Sequence, residues 1–353
     1  MTDKSFRPLA LIVAAQLVLV AAVLLWAGLG FPLPAALTGA GTAQSAPAGR
    51  AASSPAAPAD PAGPEDPVAP AAPAAPAAAA AAALPLAPRP SADRFPAAPA
   101  FALLREQVLR YGWRPAGSDK LRRLALRLRA LLPHGRFEAI PGHRRLRNVV
   151  GSLPGRGKAI VVGAHYDVEA RPTGFVGAND GAAGTAAVVS IARALARAPR
   201  RANDRPVRFV LFDGEEEPAG CTPFLECGLR GSTAYAKRHA RELHSLVLLD
   251  YIAEKHGLLF PREGGSDPAL WDKLIAAATD VGVGSLFQAT ESGEILDDHT
   301  PFTERGLTAI DVIDFDYPPA DTLGDTLDKV SSRSLDAVGE AVMLLVSRLR
   351  RER

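Results

Sequence analysis

The residues in this chain that could do chemistry follow apolar runs. The run 159–162 leads into His165-Tyr166-Asp167, and a Gly-rich loop then delivers Asn179-Asp180-Gly181. The run 209–212 leads into Asp213-Gly214-Glu215-Glu216-Glu217, and 246–249 leads into Asp250. Asp297-Asp298-His299, Asp321 and Asp325 come later. Taken singly, each is weak. His-x-Asp pairs arise by chance, a Glu triplet is usually a solvated loop, and Asp-Asp-His can cap a helix. Position gives them weight, because open α/β sheets bind ligands at the carboxyl ends of their strands. Acids converging there on His165 and Asp180 point to one metal site. Carboxylates with few imidazoles suit zinc, with manganese or cobalt as other candidates. Two zincs bridged by a carboxylate clamp a water and polarise a carbonyl, while a free Glu takes the water's proton.

The elements that must position these groups alternate in type. Apolar residues recur at helical spacing over 101–111 and 121–132, the second with Arg on its other face, which reads as solvated surface. Strands are expected at 147–153 and 159–163, joined by a Pro-Gly-Arg-Gly turn, then at 207–212, 246–249 and 307–313. Helices fit 182–196, 232–239, 268–279 and 332–348. Such alternation predicts an α/β domain, a mainly parallel mixed sheet flanked by helices on both faces.

The 353 residues leave room for accessory segments beside one such domain. Residues 1–8 are short and polar. Residues 9–31 are almost wholly apolar, interrupted by Gln16, and have about the 20 residues that cross a bilayer. Lys4 and Arg7 precede this run and the next basic residue is Arg50. The expectation is one transmembrane helix in the cytoplasmic membrane, with the N-terminus inside and the rest on the periplasmic or other extracytoplasmic side. A cleaved signal peptide is the alternative. Residues 32–98, rich in Ala and Pro and poor in charge, read as a disordered linker that could reach on the order of 200 Å if extended. The folded domain is then 99–353. Forty basic against 38 acidic residues, a net charge of +2, give no reason to expect nucleic acid. The spacing of Cys221 and Cys227 lacks the paired units of a structural zinc site. They form a local disulfide if the domain is exported, or two ordinary thiols if it is not.

Residues 113–330 resemble the zinc exopeptidases of metallopeptidase family 28, which also contains animal glutaminyl cyclases. The matching segments are 114–118, 148–151, 164–167, 178–181, 212–216, 230–232, 249–250, 297–302 and 325–330, in the family's order. The resemblance implies one or two zinc ions. His165 and Asp250 would hold one, Asp180 would bridge, and Glu216 would hold the other. Glu215 would act as the general base and then protonate the leaving amine. Asp167 would hold the His165 ring, a service that metal-bound His generally needs. One departure stands out. The family usually supplies its last ligand from Trp-His-Thr or Ile-His-Thr, where this chain has Ala320-Asp321-Thr322. Asp321 is therefore expected as a substitute ligand, or else that zinc site is weakened. His299 reads as structural or pocket-lining, with Asp297 and Asp298 beside it on the substrate side.

By this resemblance the chain is expected to be a membrane-anchored, exported zinc aminopeptidase acting on peptides. A glutaminyl-peptide cyclotransferase is the second expectation, with one zinc at Asp180, Glu216 and Asp321. The segment 297–302 is compatible with it, and Ala320, where such cyclases keep Trp, counts against it. A peptide-binding domain that has lost hydrolytic power through Asp321 is the third.

Overall fold

The structure, a computed structural model, describes residues 84–352. The apolar segment 9–31 and the linker up to residue 83 lie outside the described residues. Among the described residues no helix is long and apolar enough to cross a membrane.

Six strands make the main sheet. They are β1 (Arg136–Ile140), β2 (His143–Leu153), β3 (Ala159–His165), β4 (Val207–Phe212), β5 (Leu243–Asp250) and, after a small sheet of β6 (Phe260–Arg262) and β7 (Phe287–Glu291), β8 (Thr308–Ile313). Their spatial order is β1-β2-β4-β3-β5-β8. The steps β4–β3, β3–β5 and β5–β8 are parallel, whereas β2 pairs antiparallel with both β1 and β4. All seven residues of β3 are buried, as expected of a parallel strand covered on both faces, and such strands read as unbroken apolar runs. Successive side chains feed opposite layers. Ile160 and Val162 join the larger core, while Ala159 and Val161 join a smaller one with Phe212, Tyr235 and Phe302.

The larger core is closed by α1 (Ala97–Glu106), α2 (Asp119–Leu131), α3 (Ala182–Arg197), α6 (Pro268–Asp280) and α8 (Ser332–Leu349). The short α4 (Phe224–Cys227) precedes α5 (Arg230–His239). The smaller core takes α5 and the single turn α7 (Thr300–Thr303). Helix α3 must lie directly on the sheet to bring its N-terminal loop to the end of β3. Gly184 permits this, since a Cβ there would stand 2.2 Å from the Leu249 carbonyl oxygen.

Three expectations change. The packed chain begins before residue 99: Ala87 and Phe95 are buried in the main core, and a Cβ on Gly339 would press 2.4 Å from the Phe95 ring. The buried Glu340 carboxylate accepts the backbone N–H groups of Arg94 and Phe95. The helix expected over 101–111 starts at Ala97 and ends in a π-helical turn, Gln107–Tyr111. Strand β1, and the pair β6 and β7, carry too little alternation to stand out. β1 exists because β2 runs long enough to offer it an edge.

The Phe95 contact predicts that Phe95→Ala lowers the unfolding free energy by about 3 kcal/mol or more, the usual range for emptying a buried aromatic site. Denaturant unfolding of the variant checks this, and an unchanged midpoint would contradict it.

Candidate metal centre and active site

His165 is the last residue of β3, and its carbonyl oxygen accepts a 2.7 Å bond from Thr185 Oγ1, which locks α3 to the strand end. The loop between them wraps around Arg114, which is fully buried. Its guanidinium donates to the carbonyls of Tyr166, Val176 and Gly177 at 3.2, 2.6 and 3.3 Å. Burial lowers Arg114 to about 10, although Asp180 and Asp167 nearby favour its charge, so it remains a cation at neutral pH. The loop's exit is held by Asp325, which accepts the N–H groups of Asn179 and Asp180 at 2.9 and 3.0 Å. Asn179 Oδ1 in turn accepts the Ala253 N–H at 2.8 Å. Asp180 is thus placed by backbone bonds that do not engage its own carboxylate.

That carboxylate stands 3.1 Å from His165 Nε2, and Asp250, ending β5, stands 3.4 Å from the same nitrogen. On the other side of the ring, Glu215 Oε2 is 3.8 Å from Nδ1. Two compact donor sets share His165 among the described residues, His165 with Asp180 and Asp250, and His165 with Glu215 and Glu216. His165, Asp167, Asp180, Glu215, Glu216 and Asp250 are each at most 8 % exposed.

So much buried negative charge is unstable without compensation. Burial pushes Glu215 and Glu216 well above the usual carboxylate range and Asp250 to about 7. Burial alone would lower His165, but Asp250 and Asp180 outweigh it and raise the imidazole well above its ordinary value. A proton on Nε2 can serve only one of the two carboxylates it faces. A divalent cation takes the nitrogen lone pair and both oxygens together, and this nitrogen-and-carboxylate donor set is one that zinc accepts. The residues fit the metal that the sequence leads one to expect.

Asp167 Oδ1 lies 3.9 Å from His165 Nδ1, within ion-pair range but beyond a hydrogen bond, and that nitrogen has no hydrogen-bond partner among the described residues. The two Asp167 oxygens accept the N–H groups of Glu215 and Glu216, each at 3.3 Å. Its work is to shape the loop after β4. Asp321 lines the cleft but is exposed and belongs to neither compact donor set. It has a left-handed φ of 55° and accepts a 2.9 Å bond from Tyr251 Oη, which also reaches Asp180 Oδ2 at 3.2 Å. Of the acidic-histidine triplet, only Asp297 lines the cleft; Asp298 and His299 are buried behind its wall.

The cleft, of about 260 Å³, also takes Glu169, Glu217, Phe224, Tyr251, Ile295, Leu296, Ile313 and Phe315. Ile295, Leu296 and Phe315 fall in the loops 292–296 and 315–319 from which the pocket walls are expected, and Glu217 in the acidic run after β4, whereas Glu169, Phe224, Tyr251 and Ile313 do not stand out in the sequence. Glu169 is within hydrogen-bonding reach of Glu216, and burial with Asp180 nearby pushes it to about 7. Cys221 and Cys227 form a disulfide that closes the loop carrying Phe224 into the cleft.

The sequence pattern of Peptidase family M28 matches residues 148–346, which contain every residue of this centre except Arg114. The chain belongs to peptidase family M28. Among curated M28-like relatives, aminopeptidase YwaD of Bacillus subtilis is 29% identical over 202 residues, 53% of this chain and 40% of that one. The glutaminyl-peptide cyclotransferase of Bos taurus is 27% identical over 246 residues, 58% of this chain and 66% of that one. The chain therefore spans less than two thirds of the length of either. Among solved structures, a glutaminyl cyclase from an Acidobacteriales bacterium superposes with a TM-score of 0.64 at 26% identity, covering 74% of this chain and 97% of that one.

The M28 centre carries a pH dependence that needs no metal. Asp213, buried at the end of β4, is pushed up to about 7 by burial and by Asp167. In the unfolded chain it titrates near ~3.9. Between these values the folded state keeps a proton that the unfolded state has lost, so stability falls as pH rises from about 4 to 7. Chelator-treated protein should melt at a lower temperature at pH 7.5 than at pH 5, and Asp213→Asn should flatten the slope. A melting temperature that climbs over this interval would contradict it.

Proposed function

We propose that this chain is a zinc-dependent aminopeptidase that removes N-terminal residues from peptides. The observation that carries this reading is the approach of His165 Nε2 to both Asp180 and Asp250, at 3.1 and 3.4 Å. It supports reading the imidazole as a member of a metal set. A single zinc held only by Asp180, Glu216 and Asp321 would leave His165 outside, and those three do not form a compact donor set.

When bound, the metal would make a nucleophilic water available near neutral pH and polarise the scissile carbonyl. Asp180, His165 and Asp250 would hold one ion and Glu216 would face a second, with Asp321 and Glu169 at its open side. Glu215 is placed to take a proton from the attacking water, because its carboxyl lies beside the ring but its backbone is fixed by Asp167. It then gives that proton to the amine released as the peptide C–N bond breaks. Phe224, Ile295, Leu296, Ile313 and Phe315 supply an apolar wall suited to an apolar N-terminal side chain. The acids Glu169, Glu217 and Asp321 at the same cleft suit the free ammonium group.

A glutaminyl cyclase is the second reading, favoured by the buried Asp297 and Asp298 beside Glu215 and by the likeness to solved cyclases. In that reaction the α-amine of an N-terminal Gln attacks its own γ-carboxamide, and Glu215 passes the amine proton to the departing ammonia. The apolar segment 9–31 and the disulfide support attachment to the cytoplasmic membrane with the catalytic domain in an oxidising, extracytoplasmic space.

The zinc-loaded full chain in detergent should release free amino acid from aminoacyl anilides and peptides. Glu215→Gln should lower kcat by at least ~100-fold, in line with loss of a positioned base, with zinc content unchanged. Pyroglutamyl product and ammonia from Gln-peptides, without release of amino acids, would replace the peptidase by the cyclase. Turnover that survives Glu215→Gln would sink both.

A further inference from the structure

Behind the cleft wall lies a second group of buried donors, which shares only Asp297 with the cleft. His299 Nε2 is 3.2 Å from Glu263 Oε2, and both residues are at most 1 % exposed. Glu263 also accepts from Gly265 N at 2.6 Å, Ile295 N at 3.0 Å and Ser266 Oγ at 3.1 Å. Gly265 has to lack a side chain here, since a Cβ would stand 2.9 Å from His299 Nε2. The other ring nitrogen, Nδ1, has no hydrogen-bond partner among the described residues.

Nδ1 faces acid. Asp311 Oδ2 is 3.6 Å from Nδ1, and donor atoms of Asp297, His299 and Asp311 all lie within 4.8 Å of one another. The Asp297 and Asp311 carboxyls come within hydrogen-bonding reach of each other. Yet neither Asp311 oxygen, nor Asp297 Oδ2, meets a donor among the described residues. Asp311 is 0 % and Asp297 4 % exposed. Two carboxyl groups crowded against an imidazole nitrogen in the interior need positive charge or a proton between them.

We propose that Asp297, His299 and Asp311 bind a divalent cation, zinc by its donor set, at a site that borders the cleft through Asp297 and is separate from the ligands around His165. Glu263 then plays the carboxylate partner that orients a metal-bound histidine through its far nitrogen. Tetrahedral zinc with bonds of about 2.0–2.1 Å sets its donors roughly 3.3 Å apart, close to the 3.6 Å found between Asp311 and His299. The ion ties β8, which carries Asp311, to the loop of Asp297 and the turn α7. Because Asp297 lines the cleft, the ion also offsets negative charge that bears on Glu215. This site stands whichever reaction the cleft performs.

Zinc-loaded, dialysed full chain should be compared with Asp311→Asn and His165→Ala by elemental analysis. Asp311→Asn is expected to hold one zinc ion fewer per chain than the unaltered protein, keeping the cleft ion. His165→Ala is expected to lose cleft zinc and keep the ion at His299. Equal zinc in Asp311→Asn and the unaltered protein would overturn the proposal, leaving a proton shared by Asp297 and Asp311. Should Asp311→Asn fail to fold, anomalous diffraction at the zinc edge from crystals of the unaltered protein decides. A peak beside His299 Nδ1 supports the site, and no peak there refutes it.

Discussion

The convergence of acidic side chains on one imidazole is the constraint that the rest of the domain serves. Asp180 and Asp250 approach His165 Nε2 to 3.1 and 3.4 Å in a space almost closed to solvent. Placing like charges this way costs free energy, and the domain holds them by backbone devices rather than by pairing each with a base. Arg114 contributes the one fully buried guanidinium among the described residues, but spends its bonds on loop carbonyls. Asp325 and Asp167 accept backbone N–H groups, so one carboxylate positions the loop that presents another. The result is a ring of acceptors that could hold a cation.

The sheet makes this possible. Strands β3, β4 and β5 run parallel and side by side, so His165, the Glu215-Glu216 loop and Asp250 all emerge at the same edge. The tight seat of Gly184 against Leu249 then brings the Asp180 loop over that edge. Strand β2, antiparallel to β4, holds the start of the Glu215-Glu216 loop through the Arg147 N–H on Asp213 and the Asp213 N–H on Asn148. Membership of peptidase family M28 follows from the chain's own pattern, and the geometry explains why that pattern is spaced as it is.

Much of this was legible before the fold. The buried strands announce themselves as apolar runs, and each of the main acids sits where such a run stops. What escaped depends on contacts between distant residues. Asp167 lies next but one to His165 in sequence, yet the turn of the chain hands its oxygens to the amides of Glu215 and Glu216. Residues 84–96 share the Ala and Pro of the linker, and only Phe95 and the far partner Glu340 reveal that they pack. Asp321 sits where a histidine is expected. Its reach is set by Tyr251 and by a left-handed backbone, neither of which a motif can show. The buried Glu263 and Asp311 carry no signal at all until the fold sets them around His299.

The most direct measurement is calorimetric titration of zinc into chelator-stripped full chain at pH 7, repeated in buffers of different ionisation enthalpy. The account holds that buried acids, Asp250 among them at about 7, carry protons when no metal is bound. Zinc uptake should therefore release protons, and the release should shrink as pH rises above 8. No zinc uptake, or uptake with no proton released at pH 7, would contradict the central claim that a cation replaces protons among the acids around His165.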